Sequence, residues 1–175
     1  MSAPRKLNLC SRGTAAAEMA LVTPLLMVIL FGAVELGNYF WSEHVLAKGV
    51  RDAAVYASRL SIENYDCPSA TTVPADVEGE IKNVARTGVA SGGTDRLPLW
   101  EDDGSEFDVA VNCVTEVGPE DEETGLAGIY TLNDGQVPVV TLTATLPYRS
   151  LLGTLGLGNA DLHLNASQEA AVVGS

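Results

Sequence analysis

Hydrophobic positions are spread unevenly along the 175 residues. Sixteen consecutive uncharged residues, "MALVTPLLMVILFGAV", separate Glu18 from Glu35. As a helix rising ~1.5 Å per residue this stretch covers about 24 Å, short of the roughly 30 Å hydrocarbon core of a bilayer. Including Thr14 to Ala17 brings it close to a full span, with Glu18 about one turn inside. A carboxylate there is expensive and calls for a partner or a purpose. Tyr39, Phe40 and Trp41 follow, as expected for an aromatic belt at the far interface. Pro24 lies inside the stretch, where it predicts a kink or a loosened turn.

Past the aromatic residues the pattern changes. Helical spacing continues from Trp41 through about Leu60, with Val50, Ala54, Ala57 and Leu60 three or four residues apart. Gly49 weakens that helix locally. A single helix from Thr14 to Ser61 would run roughly 70 Å. "YDCPSATTVP" is a turn-rich link. "ADVEGEIKNVARTGVA" has Val77, Ile81, Val84 and Ala85 at helical spacing; Asp76 or Pro74 opens this helix and "SGG" at 91–93 ends it. "RLPLWEDDGSE" reads as a loop. "FDVAVNCVTEV" alternates as a strand, with Phe107, Val109, Val111 and Cys113 on one face. "GPEDEETGLAG" is an acidic loop and "TLNDG" a hairpin turn. "VPVVTLTATLPY" and "LHLNASQEAAVV" are two further strands. The expected class is α+β: a long N-terminal transmembrane helix continuing into a small domain with a second helix and a three- or four-stranded antiparallel sheet.

Charge narrows the picture. Arg5, Lys6 and Arg12 make a basic leader without acidic residues, whereas from Thr14 onward seven basic side chains face 23 acidic ones. Such a surface offers no basic patch to displace counterions from phosphates, so nucleic-acid binding is excluded as a partner class. It suits an exported domain held apart from anionic headgroups. By the positive-inside rule the N-terminus stays cytoplasmic and the bulk of the chain is outside. Lys48 and Arg51 weaken that bias without reversing it. In an oxidising compartment Cys67 and Cys113 form an even pair, and a disulfide is the natural reading; two buried thiols are the alternative. A Cys67–Cys113 bond would tie the post-helix link to the first strand. No metal site is expected, because neither cysteine has a second Cys or His at ligand spacing. The acidic clusters at 101–108 and 119–125 lack the EF-hand order and read as solvated loops. His44 and His163 lack companions, and no catalytic residue, cofactor or enzyme motif is expected.

Three readings of the apolar stretch compete. A buried helix fits its flanks poorly. A secretory signal needs a small-residue cleavage site, and "ELGNYFW" offers none. A retained single-span anchor fits. A more specific explanation is that the basic leader ending at Gly13, the glutamate five residues later and the apolar helix resemble the type IV prepilin signal. The longer stretch "RGTAAAEMALVTPLLMVILFGAVELGNYFW", followed by "VRDAAVYASRL", resembles the TadE-like proteins of tight-adherence (Flp) pilus systems. Gly13, Glu18, Pro24, Gly32, Glu35, Gly37, Arg51, Ala54, Tyr56 and Ala57 carry the likeness, over roughly residues 12–60.

The resemblance implies a pilin-like protein in which a prepilin peptidase cuts between Gly13 and Thr14 while the apolar helix is retained. Thr14 then carries a new α-amino group, and Glu18 of one subunit meets the Thr14 amine of the next. Pro24 and Glu35 join Glu18 as assembly positions, although Glu18 snorkelling to headgroups is the simpler alternative, and Glu35 reads either as a carboxylate at the outer interface, where it is cheap, or as a helix–helix contact. The implied organisation is a leader at 1–13, a transmembrane helix at 14–40, its extension at 41–61 and a periplasmic α+β domain at 62–175. Implied partners are the peptidase, other pilin or pseudopilin subunits, the assembly platform of a bacterial inner membrane and the lipid bilayer. Two rivals remain: an unprocessed anchored binding or scaffold protein, and an anchored enzyme or metal-dependent module using the acidic loops.

Overall fold

A computed structural model describes residues 11–65, 67, 73–115, 136–154 and 162–174. In chain order these form helix α1 (Ser11–Ala57), a 3-10 turn (Ile62–Asn64), helix α2 (Ala75–Thr87), strand β1 (Glu106–Thr115), strand β2 (Gln136–Pro147), the short helix α3 (Leu151–Thr154) and strand β3 (His163–Ala171). The chain divides into two compact units, one ending at Asn38 and the other beginning at Tyr39.

The first unit is the apolar part of α1. Its alanines, leucines and methionines lose little freedom in a helix and outnumber the β-branched Val22, Thr23, Val28, Ile29 and Val34, and Pro24 does not end it. Proline removes one backbone donor; on the residue just before it, the Thr23 hydroxyl donates to the Met19 carbonyl one turn back at 2.6 Å.

The second unit has one core. Its three-stranded antiparallel sheet has order β1-β2-β3. Alternation along β2 buries Pro138, Val140, Leu142, Ala144 and Leu146 on one face. Register sets Val111 opposite Val140 and Val109 opposite Leu142, with Leu164 opposite Leu146, so the three strands share an apolar face. The other face is polar: Thr145 donates to Asn165 at 3.0 Å across the β2–β3 pair.

Residues 39–57 of α1 belong to this core through Leu46, Val50, Ala53, Ala54 and Ala57. The buried positions differ from the expected stripe because Ala53 and Leu46 join it while Leu60 lies beyond the helix end and is only half-buried. The helix follows β3. Tyr39 stacks edge-on with Tyr148 at 5.1 Å and its hydroxyl reaches the His163 carbonyl at 3.4 Å, while Val173 N–H donates to the Ser58 carbonyl at 2.8 Å. The chain end then forms a parallel bridge from Ser61 to Gly174. Gly174 is required there, since a Cβ would meet the Leu60 carbonyl oxygen at 1.9 Å.

One sequence expectation is corrected. Helix α2 ends at Gly88, not at 91–93: Gly88 adopts φ 91° and its N–H closes on the Val84 carbonyl, a left-handed stop that only glycine takes cheaply. Of the two openings the sequence offers, Pro74 is the N-cap, Asp76 lies in the first turn, and no side chain caps the helix. The segment 97–100 is a loop, as its sequence reads, and it contributes Leu97, Leu99 and Trp100 to the core, with Trp100 edge-on to Phe107 at 6.0 Å. The acidic loop "GPEDEETGLAG" and the turn "TLNDG" lie outside the described residues.

Candidate functional site

The apolar stretch of α1 carries the positions that the sequence singles out. Residues 15–31 are all exposed. Leu21 is 80% and Val28 71% accessible, and Met19, Leu25, Leu26 and Ile29 are each at least 58% accessible. Burying one such side chain stabilises by ~1.5–3 kcal/mol, so a row of them in water is untenable. The unit is built to be covered by lipid or by neighbouring helices. This is the one described helix long and apolar enough to cross a membrane.

Along it the helix begins at Ser11, two residues before the Gly13–Thr14 bond. Glu18 stands one turn beyond Thr14, about 6 Å up the axis, with its side chain exposed at the head of the apolar row. Pro24 lies within the row and Glu35 at its far end, where Glu35 is half-buried. Gly32 and Gly37 have no atom within 4 Å of where a Cβ would stand, leaving their side of the helix open to close approach. The structure therefore arranges Glu18, Pro24 and Glu35 along one helix rather than gathering them in a pocket.

The second unit is held by other chemistry. Cys67 and Cys113 form a disulfide, their Cα atoms 5.7 Å apart. It fastens the link after α1 to the end of β1. Arg86 holds Asp95 with two hydrogen bonds of 2.9 and 2.6 Å and reaches Glu101 at 3.2 Å. The hydrogen bonds it donates to Asp95 raise the Arg86 pKa above its ordinary value. Arg96 pairs with Asp52 on α1 at 2.9 Å, and Arg149 pairs with Asp102. Two of the acids in the 101–108 cluster are thus held by arginines rather than left as a solvated run; the 119–125 cluster lies outside the described residues. Sequence reasoning missed these pairings because the partners lie 15 and 47 residues apart. His44 lines a groove beside α1, and the His163 carbonyl receives the Tyr39 hydroxyl.

Neither a curated protein nor a solved structure matches the chain. A family match exists for its N-terminal part, and it points to a pilus-associated protein of a tight-adherence system, with partners in that system and one apolar helix suited to a single-pass anchor. Residues 13–55 match the family model described as TadE-like protein, the family that the sequence resembles, and this match spans Gly13, Glu18, Pro24 and Glu35.

Proposed function

We propose that the protein is a minor pilin, or pseudopilin, of a tight-adherence (Flp) pilus system, with a structural rather than a catalytic role. It inserts in the bacterial inner membrane with its N-terminus cytoplasmic and its α+β domain periplasmic. A prepilin peptidase cuts after Gly13, and the mature chain docks with other subunits through the apolar helix. The observation that carries this reading is the exposed apolar row headed by Glu18, inside the segment that matches the TadE-like family.

The chemistry follows from the cut. Cleavage creates an α-amino group at Thr14 with an ordinary pKa of about 7.7–8, so it is largely cationic at neutral pH. Within one chain Glu18 lies a full turn away. Between staggered helices the amine of one subunit and the Glu18 carboxylate of its neighbour meet in a low-dielectric surrounding. Desolvation offsets much of the Coulombic gain, so this ion pair fixes register more than it adds stability.

The test is the N-terminal mass of the protein from cells with and without the prepilin peptidase. Peptidase-positive cells should yield a chain beginning at Thr14, and peptidase-negative cells one that retains the leader. Retention of the leader in both would replace this reading with that of an unprocessed anchored scaffold.

A further inference from the structure

The arginines of the second unit fall into two groups. Arg86, Arg96 and Arg149 are each held by a carboxylate. Arg51 on α1 and Arg59 in the turn just after it, both exposed, have no ion-pair partner among the described residues, in a chain whose formal net charge is −13. Both border one open groove of about 350 Å³ between α1 and the end of α2. Its apolar lining is Val55, Val84 and Ala90, and Val55 is 43% exposed midway between the two arginines. The acid and the phenol beside it are already engaged: Asp52 by Arg96, and Tyr56, whose hydroxyl donates to Glu80 at 2.8 Å. From Arg51 a second groove, of about 490 Å³, continues past Lys48 and His44 to Gln168, extending the cationic field along the helix.

Spacing identifies the ligand class. Arg51 lies on α1 and Arg59 in the turn that continues it, where the Arg59 N–H donates to the Tyr56 carbonyl at 3.0 Å, so the eight steps between them rise about 12 Å. In an extended chain, residues four apart point to the same side and lie ~13 Å apart, and the residue midway between them also points to that side. A small anion would require both long side chains to bend toward each other and give up rotamer freedom, whereas an extended segment meets each where it stands.

We propose that this groove binds an extended acidic segment of a partner protein. Two of its carboxylates, four residues apart, lie on Arg51 and Arg59, and an apolar side chain between them rests on Val55, Val84 and Ala90. Arginine suits the task because its planar fork takes a carboxylate with two hydrogen bonds. The site lies outside the apolar stretch of α1 and does not depend on cleavage after Gly13.

The experiment uses the full-length ¹⁵N-labelled chain in zwitterionic micelles at low salt, titrated with acetyl-Gly-Glu-Thr-Val-Thr-Glu-Gly-amide. The Nε–H signals of Arg51 and Arg59 should shift saturably while those of Arg86, Arg96 and Arg149 stay in place. The double variant R51Q/R59Q, in surface positions and with an unchanged melting temperature, should bind at least tenfold more weakly. A peptide with both Glu replaced by Gln should lose as much, and raising the salt should weaken the authentic complex. The proposal is overturned if no saturable shift occurs, or if the Gln peptide binds equally well. It is equally overturned if vesicles containing phosphatidylglycerol move the Arg51 and Arg59 signals while the peptide does not, which would make the stripe a lipid contact.

Discussion

Tyr65 is fully buried, and its hydroxyl donates to the Ala57 carbonyl at 2.8 Å, closing the end of α1 onto the turn that follows. Burial pushes its pKa from 10.0 up to about 12. Between those values the unfolded chain has lost the proton that the folded chain keeps, so stability falls as pH rises from about 10 to about 12. The two-unit shift corresponds to about 2–3 kcal/mol present below pH 10. Tyr65→Phe should lose roughly 1 kcal/mol at neutral pH and flatten the alkaline limb of stability against pH. An unaltered limb in denaturant titrations at pH 9–12 would remove this assignment. Gly49 offers a test of opposite sign. Read from sequence it weakens the helix, yet a Cβ there would come within 2.4 Å of the Ala85 carbonyl oxygen, so its absence lets α2 cross α1 closely. Gly79, inside α2, has open space around it. Thermal melts should show Gly79→Ala stabilising by up to ~1 kcal/mol and Gly49→Ala destabilising, because an overpacking cost of ~1–3 kcal/mol outweighs the helix-propensity gain. No periodicity could reveal that role for Gly49, which depends on a helix 36 positions away in sequence.

At the scale of elements, the helices and strands follow from short-range patterns. β2 alternates because one face is buried and one is not, and β1 shares the register that places Val109 and Val111 inward. Helix α2 is amphipathic and buries Ile81, Val84 and Ala85 at the expected spacing. Its C-terminus was misread because three glycines, at 88, 92 and 93, are each plausible stops, and all three take positive φ. What chose Gly88 was hydrogen bonding: its N–H satisfies the Val84 carbonyl while Arg96 N–H reaches back to the Arg86 carbonyl. The link after α1 is fastened by the disulfide, which closes a loop of sequence separation 46. On the chain-entropy model that constraint is worth up to ~4 kcal/mol. Reduction, or the double variant Cys67→Ser with Cys113→Ser, should therefore lower the denaturant midpoint of the domain by about 2–4 kcal/mol in stability. An unchanged midpoint under reducing conditions would show that the core alone holds the link.

For the whole molecule, the proposed assembly role rests on a helix whose apolar surface is exposed along residues 15–31 while the same helix, further on, is built into a packed core. Glu18→Ala should leave membrane insertion intact, since it removes a charge from the span, and should reduce piliation severely. Fractionation together with electron microscopy of pili checks both halves, and wild-type piliation would exclude a register-setting role for Glu18. The sequence by itself determined the apolar span, the Gly13–Glu18 spacing, the second helix and the alternating strands. All of these are encoded by neighbours within one or two turns or one pleat of the chain. Only the tertiary structure decided which arginines are neutralised by acids and which remain open, why Gly49 is tolerated in a helix, and that Leu97, Leu99 and Trp100 belong to the core. Those outcomes depend on groups far apart in the chain meeting in space, where burial and pairing energies outweigh local preference.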